Sequence, residues 1–155
     1  MHPNAELITK FYTSFQNRDA QGMIDCYAAD VHFSDPVFTD LKGDRAKAMW
    51  QMLARRDSDL KIVFNNVQAN DDVGQAHWEA TYTFSGRKVI NIIDAAFQFK
   101  DGKIIQHQDS FDLWKWAGMA LGPIGVLLGW TPFIQKKIRQ SANDRLEKFI
   151  KSRPG

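Results

Sequence analysis

The chain has 155 residues, 44% hydrophobic and 25% charged, with a formal net charge of +2. That composition suits one globular domain folding on its own core, and the interspersed signs exclude a protein held to nucleic acid by a basic stripe. The lone cysteine, Cys26, excludes an intrachain disulfide framework and a cysteine-rich metal site. The start, MHPNAELITK, has no apolar core of a signal peptide. The apolar run Met119–Trp130 is too short and too rich in glycine and proline to cross a bilayer. A cytoplasmic protein without a membrane or nucleic-acid partner is therefore expected.

In chain order, Ala5–Asn17 places Leu7, Ile8, Phe11, Tyr12 and Phe15 at helical spacing, so one broad face is apolar. Asp19 can cap a second short helix reaching Tyr27, with Cys26 a buried, inert thiol beside it. Val31–Val37 reads as a strand broken at Pro36. Gly43 precedes a third helix, Asp44–Arg56, whose Ala46, Met49, Trp50 and Leu53 face inward. From Leu60 the period becomes two. Leu60–Gln68, Gln75–Phe84, Lys88–Lys100 and Lys103–Leu113 are expected as strands, joined at Asn70-Asp71-Asp72, Ser85-Gly86 and Asp101-Gly102. Helices grouped before a meander of long antiparallel strands give an α+β class rather than alternating βαβ units. Trp114–Thr131 is expected as a helix turning at Gly122-Pro123. Pro132–Lys151 follows as an amphipathic helix whose cations form a solvated face. No linker separates residues 114–155 from the rest, so they form a C-terminal helical extension of a single domain spanning residues 1–155.

The residues with chemistry lie on the expected strands. Ile105, His107, Asp109 and Phe111 share one parity and hence one face. Side chains two apart on a strand are roughly 6–7 Å apart at their bases, within reach of one ligand. Trp78, Ala80 and Tyr82 form a second such row, and Phe33 and Asp35 a third. An aromatic cavity holding few polar groups is the usual form of a small-molecule site. Its bland alternative is a filled core, with Asp35 a turn residue before proline and His107–Asp109 a structural pair. His32, His77 and Glu79 have the opposite parity and are expected to face outward. The histidines are too scattered for a metal site, and no cofactor motif is present.

The segments FYTSFQNRDAQGMIDCYAADVHFSDP, KGDRAKAMW, FSGRK and FQFKDGKIIQHQDSFD resemble the nuclear transport factor 2-like superfamily over about residues 5–113. Within it the chain resembles the SnoaL-like polyketide cyclases and ketosteroid isomerase-like proteins. That resemblance implies a cone-shaped, curved antiparallel sheet wrapped around the N-terminal helices, and a homodimer. Asp35, followed by Pro36, matches the isomerases' general base. Their oxyanion tyrosine aligns with Phe11, which lacks a hydroxyl. Tyr12 is adjacent but roughly 100° around the helix, and Tyr27 is a second candidate hydroxyl. Trp50 aligns with a pocket aromatic. Their second oxyanion group falls at Asp94 or Ala95. A two-residue turn at Asp101-Gly102 would put Asp94 on the face of His107 and Asp109, whereas a bulge at Gly102 would put Ala95 there, with Phe97, Phe99 and Ile105 on the apolar face. We favour the bulged turn. DSFD also resembles limonene epoxide hydrolase-like sequences, whose water-activating aspartate matches Asp109. Their tyrosine and asparagine align with Phe33 and Asp35, and no arginine in Gln75–Tyr82 matches theirs.

The expectation is a cofactor-independent enzyme of isomerase, cyclase or hydratase type acting on a small apolar, cyclic molecule. Asp35, Asp109 and His107 would be catalytic. Tyr12, Tyr27, Phe33, Trp50, Trp78, Tyr82, Asp94 and Phe111 would line the site. A non-catalytic ligand-binding or dimerisation module of the same fold is the alternative.

Overall fold

The computed structural model describes residues 1–153. Helix α1 (Pro3–Gln16) starts with proline in its first turn, where the missing N–H costs nothing, and His2 Nδ1 caps the Asn4 amide at 3.0 Å. Asp19 caps α2 (Ala20–Ile24) through the Gly22 amide at 3.0 Å. The helix ends earlier than its pattern suggests, and Tyr27 opens strand β1 (Tyr27–Ser34) instead. β1 stops before Asp35, because the Asp35–Phe38 segment closes on itself as a turn. A two-residue strand, β2 (Leu41–Lys42), was not foreseen; α3 (Asp44–Leu53) follows it.

Strands β3 (Lys61–Ala69), β4 (Val73–Phe84), β5 (Arg87–Lys100) and β6 (Lys103–Ser110) form the antiparallel meander. The sheet is six-stranded, curved and open, in the order β2-β1-β6-β5-β4-β3. β1 joins β6 in parallel, which places Phe33 beside His107. Ile8, Phe11, Tyr12 and Phe15 of α1 and Met49 and Trp50 of α3 are all buried. Each large apolar side chain so buried contributes about 1.5–3 kcal/mol.

The β5–β6 hairpin corrects the expected register. Asp101 and Gly102 both have positive φ, 54° and 77°, and Lys100 pairs with Lys103, so the turn has two residues. The bulge lies inside the ladder: Phe99 pairs with Ile104 and Gln98 with Gln106, leaving Ile105 as the extra residue. Parity flips there. Ile104 rather than Ile105 therefore faces inward with His107 and Asp109, and Ala95 faces in while Asp94 faces out.

After β6 come α4 (Leu113–Leu121), α5 (Pro123–Leu128) and α6 (Pro132–Ser152). Gly122, at φ 69°, breaks the first two apart. α4 buries Leu113, Trp116, Ala117 and Ala120, and Trp116 packs edge-on against Phe84 at the end of β4. α6 is tied to α3 by the Arg45–Glu147 ion pair and by Arg153–Asp44 at 2.8 Å. Among the described residues no helix is long and apolar enough to cross a membrane.

Candidate functional site

His107 is fully buried and ringed by aromatics. Phe97 lies at 4.4 Å between ring centroids, Phe33 at 5.0 Å, and Trp50 is stacked at 5.9 Å. A hydrogen-bonded chain runs through it. The Trp50 indole donates to the Tyr27 hydroxyl at 2.7 Å, which lies 2.8 Å from His107 Nδ1. His107 Nε2 is 2.9 Å from Asp109 Oδ1. Because the Tyr27 oxygen already accepts from Trp50, its own proton is free to go to Nδ1. With the Tyr27 proton on the Nδ1 side, the Nε2–H of His107 donates to Asp109. The Trp78 indole donates to the same Oδ1 at 3.4 Å. Asp109 Oδ2 takes none of these bonds. Across the sheet Asp109 pairs with Ala95, which pairs with Ala76, so its ladder neighbours are the smallest apolar side chains.

Burial holds the Tyr12 and Tyr27 hydroxyls well above the usual phenol range and the nearby Asp109 carboxylate adds to it, with the Trp50 bond opposing both at Tyr27. Tyr12 is fully buried, and its hydroxyl has no hydrogen-bond partner. A buried hydroxyl left unpaired costs about 1–3 kcal/mol. Phe11 is fully buried and stacks on Tyr27 at 5.3 Å.

Asp35 takes up its turn position before Pro36. Its Oδ1 accepts from the Val37 and Phe38 amides at 2.7 and 2.6 Å, the turn role. Oδ2 makes no such bond. Burial pushes the carboxyl up to about 7; the Phe38 and Val37 amides oppose this and the charge of Asp109 adds to it. Asp35 in turn raises the Tyr82 hydroxyl, after burial and against the Trp116 indole that donates to it at 2.7 Å. Asp35, Asp109, Tyr12, Tyr27 and Tyr82 thus share one electrostatic neighbourhood.

The remaining expectations divide. Phe33, Trp50 and Trp78 are buried in the core. Phe111 lies just past β6, half-buried at the edge of the core. Asp94 leaves the site: it is exposed on the outer face, 2.9 Å from His77 Nδ1, with Glu79 3.0 Å from the other ring nitrogen. His77 and Glu79 were expected outward, and hydrogen bonds first to Asp94, then to Glu79, raise the His77 pKa. His32 also meets its partner, Asp40, at the surface. Cys26 is buried, and burial pushes its thiol up to about 11. Among the described residues no cluster of histidine, cysteine and carboxylates could hold a metal.

Two residues of the C-terminal helices were missed. Trp116 closes over Tyr82, and Arg139 of α6 donates to the Pro36 carbonyl at 2.9 Å, pinning the Asp35 turn. Their helices are legible in the sequence, but nothing there says where those helices return.

Several solved structures share this architecture. An LEH-like epoxide hydrolase of M. tuberculosis superposes with a TM-score of 0.65 at 15% identity, covering 81% of this chain and 96% of its own. TerC, co-crystallised with polyporic acid, gives 0.66 at 17%, covering 77% and 99%. Bal32a, from a soil-derived mobile gene cassette, gives 0.65 at 22%, covering 76% and 96%. At these identities the likeness is one of fold. No curated protein matches the chain. The SnoaL-like domain matches residues 8–107, most of the described fold up to His107 itself. The chain belongs to the SnoaL-like domain family.

Proposed function

We propose that the protein is a cofactor-independent enzyme acting on a small apolar, cyclic molecule, with Asp35 as general base. A carboxyl titrating near neutral pH takes a proton from an acidic carbon or a water and returns it at little cost. Asp109, fixed by His107 and Trp78, raises the basicity of Asp35 and presents its free Oδ2 to the ligand. The Tyr12 hydroxyl donates to a ligand oxygen as charge develops there.

The observation that carries this reading is the orphan Tyr12 hydroxyl, fully buried among aromatics in the field of Asp109, with the half-buried Asp35 coupled to that same carboxylate. A purely structural core would have paired or discarded that hydroxyl. The test is exchange of solvent deuterium into cyclic ketone probes, read by mass spectrometry. The wild type should accelerate exchange, and Asp35→Asn should reduce it by about 10²-fold or more. Unchanged exchange in both Asp35→Asn and Asp109→Asn overturns the proposal.

A second reading, a non-catalytic module, is favoured by the close aromatic packing and by Trp116 and Arg139 closing over Tyr82 and the Asp35 turn. As a ligand-binding or dimerisation module it predicts no exchange by the wild type, even with a probe that stabilises the fold. A homodimer through the outer sheet face, where Val63, Ile90 and Ile92 are exposed, belongs to either reading. Light scattering on the eluted protein tests it.

A further inference from the structure

We propose that the exposed apolar tip formed by α5 and its flanks docks on the surface of an anionic lipid bilayer. Ile124, Val126, Leu127, Leu128, Trp130 and Phe133 are each between 47% and 69% exposed. The arrangement is built in. A Cβ on Gly125 would lie 1.9 Å from the Ala117 carbonyl oxygen, and one on Gly129 would lie 2.7 Å from the Ala117 methyl. α5 therefore lays its glycines on α4 and turns its large side chains to the outside, the inverse of an ordinary surface helix.

Backbone pairing fits a dry environment. The carbonyls at the end of a short exposed helix normally go to water. Here the Val126 carbonyl accepts from the Trp114 indole at 2.9 Å and the Leu127 carbonyl from the Trp130 indole at 3.0 Å. Leu128 accepts from the amide and hydroxyl of Thr131, and Gly129 from the Gln135 side chain at 3.1 Å. The tip can enter hydrocarbon without stranding these acceptors or either indole N–H.

Charge selects the occupant. No aspartate or glutamate occurs from Leu113 to Asn143, whereas Lys115, Lys136, Lys137 and Arg139 do. The acids nearest in the chain are Asp112, which caps the N-terminal end of α4, and Asp144 on α6. The Lys137 ammonium sits 4.7 Å from the Phe133 ring centre, at the rim of the patch. A second copy meeting this face about a two-fold axis would set these lysines against their own images. Phosphate headgroups would neutralise them. The SnoaL-like match ends at residue 107, before α4 begins, so the tip is an addition to the shared fold. A run too short to span a bilayer is still long enough to lie in its interface.

Sedimentation of the full chain with vesicles tests this. Phosphatidylcholine vesicles containing about one-third phosphatidylserine should pellet the protein, phosphatidylcholine alone should do so weakly, and high salt should release it. Lys136→Glu with Lys137→Glu, and separately Leu127→Asp, should each weaken binding about tenfold or more while circular dichroism stays unchanged. No sedimentation, equal sedimentation with both vesicles, or a dimer in solution that Leu127→Asp splits without any lipid binding overturns the proposal.

Discussion

The interior around His107 and the tip around Leu127 invert the usual distribution in opposite ways. One buries titratable groups among rings, and the other exposes aliphatic and aromatic side chains to solvent. In both places the polar groups are nearly all paired. In the interior, beside the chain from Trp50 through Tyr27 and His107 to Asp109, the Tyr12 hydroxyl is the one buried side-chain polar atom without a partner among the described residues. At the tip, indoles and side chains take up the helix-end carbonyls. The difference lies in what remains: hydrogen-bonding capacity inside and apolar area outside. Each residue of capacity names its partner, a polar atom on a small ligand in the first case and a lipid surface in the second.

That contrast breaks most readily at His107. His107→Ala should cost about 3–5 kcal/mol in urea unfolding, because it opens a cavity and strands Asp109 and Tyr27 together. An effect below about 1 kcal/mol would mean the chain is not a cooperative unit.

A smaller effect is expected from Asp35. Its carboxyl is raised from 3.8 to about 7, so between about pH 4 and pH 7 the folded state holds a proton that the unfolded chain has released. Its contribution to stability therefore falls as pH rises through that window, by up to about 2–4 kcal/mol. Asp35→Asn keeps the oxygen that accepts the Val37 and Phe38 amides. It should gain stability over the wild type increasingly from pH 4 to pH 8.

Smaller still, Tyr12→Phe removes the orphan hydroxyl and should be neutral or more stable by about 1–2 kcal/mol, while losing exchange activity. A destabilised Tyr12→Phe would show that the hydroxyl is already satisfied. At the tip, Leu127→Asp should change unfolding stability by less than about 0.5 kcal/mol, in contrast to His107→Ala.

The fold was legible because its signals are periodic and local. Phe11, Tyr12 and Phe15 mark α1 by spacing, and Asp101-Gly102 marks the β5–β6 hairpin by turn chemistry. Register was not legible. A bulge at Ile105 is one extra residue inside an otherwise regular strand, and it swaps Ile104 for Ile105 on the inner face. The inward place of Ala95 and outward place of Asp94 thus followed from a bulge in β6 rather than from the expected bulged turn. Tyr27 was read as the end of a helix because Met23 and Ile24 precede it at helical spacing; parallel pairing with β6, a long-range effect, draws it into β1. His107 and Asp109 were recognisable as a pair on one strand. Their continuation to Tyr27 and Trp50 crosses three elements and has no sequence signature. Trp116 and Arg139 escaped for the same reason.

The central claim is that burial and a neighbouring carboxylate tune Asp35 to act as a base. The direct measurement is a carboxyl-carbon nuclear magnetic resonance titration of Asp35, in the wild type and in Asp109→Asn. The midpoint should lie near 7 in the wild type and lower when the charge at position 109 is removed. A midpoint near the ordinary 3.8 in both proteins would contradict that claim.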